Sequence, residues 1–281
     1  MSGTFYGWYM KCQSDAQTLA VISAVHQVGS KQTCSIQIIT DNDTWAIPFS
    51  GEVFCKKRKY MRIGNNQFSK QGIHLAIETP EVTINGKLRF SSLSPLKYDI
   101  MGPFALVPFM ECRHSVYSMQ HLVNGIVSIN GKKYLFENAC GYWEGDRGRS
   151  FPKEYIWTQC CFLHGSLMLS VADIPTGRFH FIGIIGVVLW KGKEYRIATY
   201  LGARAVQIKN RRVKIVQGNL ELEAWLQEEN GHPLKAPKTG DMVRTIHESA
   251  TAKACYRFRK KGRTLFSFET NQASFEYEYP Y

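Results

Sequence analysis

The sequence has few features of an exported or membrane-spanning protein. No uninterrupted apolar run approaches the roughly 18 to 20 residues that a membrane helix requires. The N-terminal stretch MSGTFYGWYMKCQSD has neither a basic segment followed by a long apolar run nor an amphipathic leader rich in Arg and Ser. We therefore expect a cytoplasmic protein.

Several catalytic and cofactor motifs are also missing. The eight cysteines form no Cys-x-x-Cys pair and no dense framework, so we expect reduced thiols and no metal site. No Gly-x-Ser-x-Gly motif is present, and GIIG at 183–186 lies inside an apolar run instead of opening a helix. These absences argue against a serine hydrolase and a phosphate-binding loop.

What the chain does contain is an excess of positive charge, 35 Lys and Arg against 23 Asp and Glu. Three clusters supply much of it: KKRK at 56–59, KNRRVK at 209–214 and RFRKKGR at 257–263. Lys and Arg at hairpin tips or edge strands oppose aggregation, and this is the favoured interpretation. The alternative is binding to phosphates. No nucleic-acid motif accompanies the clusters, so nucleic acid is not an expected partner, whereas peripheral contact with an anionic membrane stays open.

Hydrophobic residues alternate with a period of two along most of the chain. TLAVISAVH, CSIQIIT and GIHLAIE show the pattern in the first half, and FHFIGIIGVVLW and AVQIKNRRVKIVQ show it in the second. INGK occurs at 84–87 and 129–132, and Asn-Gly is typical of two-residue hairpin turns. Helical periodicity is scarce. The sequence predicts an all-β protein with antiparallel sheets closed into barrels or packed as sandwiches.

A weak internal repeat divides the chain. A shift of 148 residues aligns Tyr9 with Trp157, Cys12 with Cys160, and LAVIS at 19–23 with LMLSV at 167–171. We therefore predict two β-domains in tandem, residues 1–148 and residues 149–281.

Five segments carry a resemblance to a known family. They are FYGWYMKC at 5–12, IMGPF at 100–104, MECRHSVYSMQHLVNG at 110–125, GYWEGDRGRSFPKEYIWTQC at 141–160 and RAVQI at 204–208. In this order and at comparable separations they resemble the tocopherol cyclase family. The resemblance implies a calycin-type architecture of two lipocalin-like β-barrel domains, related more distantly to carotenoid hydratases.

The resemblance also implies a type of reaction. A cyclase of this kind protonates the alkene of a prenyl tail, and the phenolic oxygen of the same molecule captures the cation, without a metal or redox cofactor. Such an isomerase requires an apolar cavity, an acid with a raised pKa, aromatic faces near the cation and a polar group for the phenol.

Glu144 and Asp146 are the candidate acids. In an extended segment, residues two apart project to one face, so these carboxylates and the phenol of Tyr142 would share a pocket. In an apolar setting one carboxylate would stay protonated beside the other. The alternative is structural: the two acids cap a turn or pair with Arg147 and Arg149.

Aromatic and amide side chains on the next strand are candidate substrate contacts. Trp157 and Gln159 share one face, with Tyr155 beside them. The ring would offer cation–π stabilisation and the amide an oriented hydrogen bond. Packing in the core explains the tryptophan equally well.

His121 is the candidate catalytic histidine, with Tyr117 on the same face as a substrate contact. It would orient a hydroxyl or relay the proton. His114 lies seven residues away, on the opposite face unless a bulge intervenes, and is interpreted as structural.

Three functional hypotheses follow. The first is a cofactor-free cyclase or hydratase whose ligand is a hydrophobic small molecule such as a prenylated phenol or a polyene. The second is a lipocalin-like carrier that binds a hydrophobic small molecule without catalysis. The third is a basic binder of nucleic acid or anionic lipid, with salt-sensitive affinity. The sequence makes no prediction about oligomers. A shared fold does not distinguish enzyme from carrier.

Overall fold

The computed structural model describes residues 3–107, 110–176, 179–228, 232–238 and 241–280. Almost all of the described chain lies in antiparallel strands of two large sheets, the first of them nearly closed into a barrel. The predicted all-β class, with tandem barrel or sandwich domains, is confirmed.

The first sheet has eleven strands. They are β1 Thr4–Gln13, β2 Thr18–Val28, β3 Lys31–Thr40, β4 Thr44–Ser50, β5 Phe54–Lys57, β6 Tyr60–Ile63, β7 Asn66–Ser69, β8 Gly72–Glu78, β9 Thr83–Phe90, β10 Cys112–Ile129 and β11 Lys132–Gly148. Their order is β4-β3-β2-β1-β11-β10-β9-β8-β7-β6-β5, so β1 and β11 are neighbours at its centre.

The second sheet has ten strands. They are β12 Tyr155–Phe162, β13 Gly165–Thr176, β14 Phe179–Trp190, β15 Lys193–Ala198, β16 Arg204–Lys209, β17 Arg212–Gln217, β18 Leu220–Glu228, β19 His232–Lys238, β20 Asp241–Lys260 and β21 Arg263–Tyr277. The order is β15-β14-β13-β12-β21-β20-β18-β17-β16, and β19 pairs with β20.

The helices are three short 3₁₀ turns among the described residues, at Gly51–Val53, Gly102–Leu106 and Thr199–Leu201. None of the helices in the described ranges has the length and apolar character needed to cross a membrane.

Contacts divide the chain into two compact units. Unit 1 comprises Met1–Lys97, Glu111–Phe151 and Leu234–Arg244, and unit 2 comprises Tyr98–Met110, Pro152–Pro233 and Thr245–Tyr281. Each unit has its own apolar core, built from the side chains of alternate strand positions. The domain boundary that the sequence predicts, between residues 148 and 149, stays a prediction.

The two sheets repeat one strand order, which confirms the internal repeat at the level of topology. In the first sheet β1 lies between β2 and β11, and in the second β12 lies between β13 and β21. The register agrees with the shift of 148 residues, because Cys12 lies opposite Leu19 and Cys160 lies opposite Leu167.

The two INGK segments have different structures. Asn130 and Gly131, with φ of 49° and 83°, form the two-residue turn between β10 and β11, as predicted. The prediction of a turn at 84–87 is wrong, because these residues lie inside β9. There Gly86 allows close approach of two backbones, since a Cβ atom would lie 2.3 Å from the carbonyl oxygen of Ile126.

The basic clusters lie at hairpin tips, and this prediction is confirmed. The cluster at 56–59 spans the β5–β6 turn, the cluster at 209–214 spans the β16–β17 turn, and the cluster at 257–263 spans the β20–β21 turn. The charges therefore lie at the ends of hairpins, where backbone pairing stops.

Replacing Gly86 by alanine tests the close approach in β9. We expect Gly86→Ala to lower the free energy of unfolding by about 2 to 3 kcal/mol, because the backbone of β10 must move. Gly192→Ala is the matched control: its φ is 74° but no heavy atom lies within 4 Å of a Cβ there, so only the strain of about 1 kcal/mol remains. Urea denaturation measures both. An equal loss in the two variants would contradict this account of Gly86.

Candidate functional site

Strand β11 presents different chemistry on its two faces. Trp143 belongs to the apolar core of unit 1. Tyr142, Glu144 and Asp146 alternate with it, so they lie together on the opposite face. Tyr142 and Glu144 are buried there, whereas the side chain of Asp146 is 21% exposed. The prediction that these three side chains share one face agrees with the geometry.

A histidine from the neighbouring strand lies between the two carboxylates. His114 is opposite Asp146 in the pairing of β10 with β11. Its Nδ1 atom is 2.9 Å from Oδ1 of Asp146, and its Nε2 atom is 3.0 Å from Oε2 of Glu144. One imidazole ring therefore bridges both acids.

Two further groups hold the carboxylates. The hydroxyl of Tyr142 donates a hydrogen bond to Oε2 of Glu144. The thiol of Cys112 lies 3.4 Å from Oδ1 of Asp146 and donates to it. We call Cys112, His114, Tyr142, Glu144 and Asp146 the acid cluster. It gives polar partners to one oxygen of each carboxylate, Oε2 of Glu144 and Oδ1 of Asp146, which burial would otherwise destabilise.

The electrostatics of the cluster favour a charged histidine. Burial by itself would lower the pKa of His114, but the negative charges of Glu144 and Asp146 outweigh it and hold the pKa well above the ordinary value. Burial, followed by the charge of Asp146, raises the pKa of the Cys112 thiol well above its usual range. The acid cluster thus holds a proton on His114, between the carboxylates of Glu144 and Asp146. The thiol of Cys112 stays protonated and acts as a hydrogen-bond donor.

The arginines next in sequence do not neutralise these acids. Arg147 follows Asp146 directly, so its side chain projects to the other face of β11. Within the described ranges, the ion pairs of Glu144 and Asp146 are made with His114, and neither Arg147 nor Arg149 takes part. The alternative of arginine pairing is therefore not what the structure shows.

The other candidate histidine, His121, lies apart from the acid cluster. It pairs with Gly141, and a Cβ atom on Gly141 would be 2.3 Å from its Nε2 atom, on the same side as Trp143. Its Nδ1 atom is 3.0 Å from the Ser118 hydroxyl. Burial lowers the pKa of His121 to about 4, so the ring is neutral near pH 7. The structure thus brings His114, which the sequence suggested was structural, to the acids in place of His121.

Tyr117 also lies on the core side of the sheet. Its ring centroid is 4.7 Å from that of Trp143 and 6.0 Å from that of Trp8. Its hydroxyl is 3.4 Å from the hydroxyl of Tyr6. Tyr117 is therefore part of an aromatic cluster inside unit 1 and is separated from Tyr142 by the sheet.

In unit 2 the candidate substrate contacts share one face of β12. Tyr155, Trp157 and Gln159 are buried there, on the face opposite Ile156 and Cys160, which belong to the core of that unit. The shared face agrees with the prediction, and the choice between ligand contact and core packing for Trp157 stays open.

A carboxylate–phenol pair recurs in unit 2. The hydroxyl of Tyr155 donates to Oε2 of Glu276, as Tyr142 donates to Glu144 in unit 1. Glu276 and Glu144 occupy equivalent positions in the strand order, one on β21 and one on β11. Glu276 was not among the predicted residues, and the internal repeat is the signal that points to it.

Three residues of the acid cluster also have metal-ligating side chains. One ligand atom each from His114, Glu144 and Asp146 can be chosen so that all lie within 4.8 Å of one another. A metal would compete with the proton for the ring nitrogens, because ligation requires a neutral imidazole. The absence of a metal requirement stays a prediction.

Titration of the two histidines tests the electrostatics. Because the pKa of His114 is raised in the folded state, its contribution to stability is present below about pH 6.5 and is lost as the pH rises through the raised value. Asp146→Asn removes one of the two charges and should lower the pKa of His114. His121, on the other face, should titrate near pH 4 in both proteins. NMR spectra of the ring carbons measure each pKa, and a wild-type pKa of His114 at or below 6.5 would contradict the charged cluster.

Comparison with known proteins identifies a family that this chain matches. The tocopherol cyclase-like family model matches residues 81–277, which include every residue of the acid cluster. A probable chloroplastic tocopherol cyclase of Oryza sativa subsp. japonica is 29% identical over 110 residues, covering 36% of this chain and 23% of the rice protein. The chloroplastic tocopherol cyclase of Zea mays is 32% identical over 65 residues, covering 23% of this chain and 14% of the maize protein. The alignments thus span less than a quarter of either plant protein.

Solved structures share the fold over almost the full chain. CghA with Sch210972 superposes with a TM-score of 0.62 at 8% identity, covering 99% of this chain and 88% of that one. Kievitone hydratase from Nectria haematococca superposes with a TM-score of 0.57 at 8% identity, covering 98% and 89%. At this identity the likeness is one of fold. The family match, which spans more than half of the residues, shows that the chain belongs to the tocopherol cyclase-like family.

Proposed function

We propose that this protein catalyses the proton-initiated cyclisation or hydration of an alkene in a hydrophobic small molecule, without a cofactor. Membership of the tocopherol cyclase-like family and the hydratase among the structural neighbours support a cyclase- or hydratase-type function. The observation that carries the proposal is the buried imidazole of His114, held between Glu144 and Asp146. It stores a proton in the way that an acid catalyst requires.

The different exposure of the two carboxylates suggests the direction in which a proton moves through the acid cluster. Asp146 is the more exposed carboxylate and would take up a proton from water. His114 would pass a proton on to Glu144, which is 3% exposed and held by the phenol of Tyr142. Glu144 is therefore the proposed donor to the substrate, and Asp146 and His114 are positioning and reloading groups.

The proposed reaction balances without a redox partner. The carboxyl group of Glu144 gives its proton to one alkene carbon, which forms a C–H bond and leaves a tertiary cation on the other carbon. A phenolic oxygen of the same molecule, or water, forms the C–O bond and releases its proton to solvent, and the path through Asp146 and His114 returns one proton to Glu144. Cyclisation is then an isomerisation, and hydration adds one water molecule.

The proposed substrate is a prenylated phenol or a related isoprenoid alkene. Trp157 and Gln159, on one buried face of β12, are proposed as ligand contacts within unit 2, since a ring and an amide suit an apolar ligand with a polar group. The support for a ligand contact is that Gln159 is fully buried while its amide oxygen has no hydrogen-bond partner among the described residues. His121 and Tyr117, on the core side of the first sheet, have no part in this proton path.

Glu144→Gln tests the proposal directly. We expect turnover of a prenylated quinol to fall by about 100-fold or more, because an amide cannot donate the proton. Ligand binding, followed by tryptophan fluorescence, should change little. Product is measured as the ring-closed chroman, after its chromatographic separation from the isomeric quinol. His114→Gln should also lower turnover, and it should flatten the alkaline limb of the pH–rate profile.

Asp173→Asn is the matched control. Asp173 is 3.0 Å from His180 in unit 2, and the side chain of this histidine is 60% exposed. Its loss should leave turnover unchanged. Binding without turnover in the wild type would favour the carrier function, and binding that weakens steeply with salt would favour the basic binder.

A further inference from the structure

A second group of charged side chains lies on the core side of the first sheet. Arg147 is directly opposite Tyr6 on β1 and directly opposite Arg113 on β10. Directly paired residues in an antiparallel sheet project to the same face. Two arginines and a phenol therefore meet on the face opposite the acid cluster.

Two lysines from the β5–β6 hairpin approach the same phenols. Nζ of Lys56 is 3.2 Å from the ring centroid of Tyr6, and Nζ of Lys59 is 5.9 Å from the ring centroid of Tyr117. We call Lys56, Lys59, Arg113 and Arg147 the cationic cluster. Lys56, Lys59 and Arg147 are exposed and Arg113 is half-buried, so solutes can reach the cluster.

The cationic cluster has no counter-ion in the part of the chain that the structure describes. The ion pairs of the described residues involve other side chains, such as Arg212 with Glu223 and Lys253 with Glu228. Cross-strand arginines repel each other. Partial burial of its ammonium group and then repulsion by Arg147 lower the pKa of Lys56. An anion bound among these groups would remove the repulsion.

The phenols add a hydrogen-bond donor. Nε1 of the buried Trp8 donates to the Tyr6 hydroxyl at 2.8 Å, and the Tyr6 and Tyr117 hydroxyls are 3.4 Å apart. Only one of the two hydroxyl hydrogens lies between these oxygens, so the other is available to a ligand. Burial raises the pKa of Tyr6 far above its ordinary value, so the phenol keeps its proton.

We propose that the cationic cluster, with Tyr6 and Tyr117, binds the phosphate group of a small molecule or lipid. Arginine guanidinium groups form charge-assisted hydrogen bonds with phosphate oxygens, and lysines add positive charge. A phosphate group near neutral pH carries close to two negative charges, which suits a site with four cations better than a single carboxylate does. The site lies across the sheet from Glu144 and does not depend on the proposed reaction.

Calorimetric titration with pyrophosphate at low salt tests the site. We expect one binding site in the wild type and a loss of about tenfold in affinity in Arg147→Ala, as expected when a charge-assisted hydrogen bond is removed. Arg113→Ala should weaken binding similarly. Absence of binding by the wild type would overturn the proposal.

Lys260→Ala is the matched control. Lys260 also lies at a basic hairpin and over a tyrosine, with Nζ 5.2 Å from the ring centroid of Tyr195. Its loss should change the affinity by less than about twofold, since Lys260 is opposite the single arginine Arg263 and not beside a pair of facing arginines. Equal weakening in Lys260→Ala and Arg147→Ala would overturn the proposal, because binding would then follow net charge.

Sedimentation with phosphatidylcholine vesicles, with and without phosphatidic acid, identifies the source of the phosphate. Binding that requires phosphatidic acid, is lost in Arg147→Ala and is displaced by pyrophosphate supports a lipid phosphate. Pyrophosphate binding that depends on Arg147, without sedimentation, supports a soluble ligand. Sedimentation that Arg147→Ala leaves unchanged contradicts a lipid phosphate at this site.

Discussion

Two carboxylates held close together inside a protein need a proton or a cation, and His114 supplies it. Glu144 is almost fully buried and Asp146 is mostly buried, so their charges would repel in a medium of low dielectric. The bridging imidazolium, the Tyr142 hydroxyl and the Cys112 thiol offset that cost. Removing one member of a buried ion pair leaves an uncompensated charge, commonly at a cost of about 3 to 5 kcal/mol. Removing His114 would therefore leave both carboxylates without their positive partner.

The alternation of β11 decides where every charged group lies. Glu144 and Asp146 project to one face, and Trp143 and Arg147 to the other. Neighbours in sequence are thus separated by the thickness of a sheet, and Arg147 cannot pair with Asp146. The acids take their cation from β10, the strand whose register places His114 opposite Asp146. Core packing on one face and the acid cluster on the other are consequences of the same period of two.

Local sequence patterns predicted the fold and the part of the acid cluster that lies on β11. Alternating hydrophobic residues indicated the strands, and the turn at Asn130 followed from its dipeptide. The shared face of Tyr142, Glu144 and Asp146 followed from spacing within one strand. Contacts between strands were beyond this reasoning. Two irregularities in β10, between Val116 and Ser118 and between Ser118 and His121, lie between the two histidines, and no residue pattern indicates them.

Two other differences between the predictions and the structure also arise from contacts between strands. The segment at 84–87 has the sequence of a turn, but β10 lies so close to β9 that only glycine fits at position 86. Tertiary packing there overrides a strong local preference. Glu276 was missed because a single acid in a strand carries no signal. Its position became meaningful only when the strand order of the second sheet was seen to repeat that of the first.

The acid cluster and the cationic cluster lie on opposite faces of the first sheet, so the chemistry of each is independent of the other. Any acid–base role of Glu144 belongs to the face with His114, and any anion binding belongs to the face with Arg113 and Arg147. The cations therefore do not reach the carboxylates as direct partners, and the proton on His114 is held by its own two anions. Substitutions on one face leave the contacts of the other in place, so a change in turnover and a change in phosphate affinity have separate structural causes.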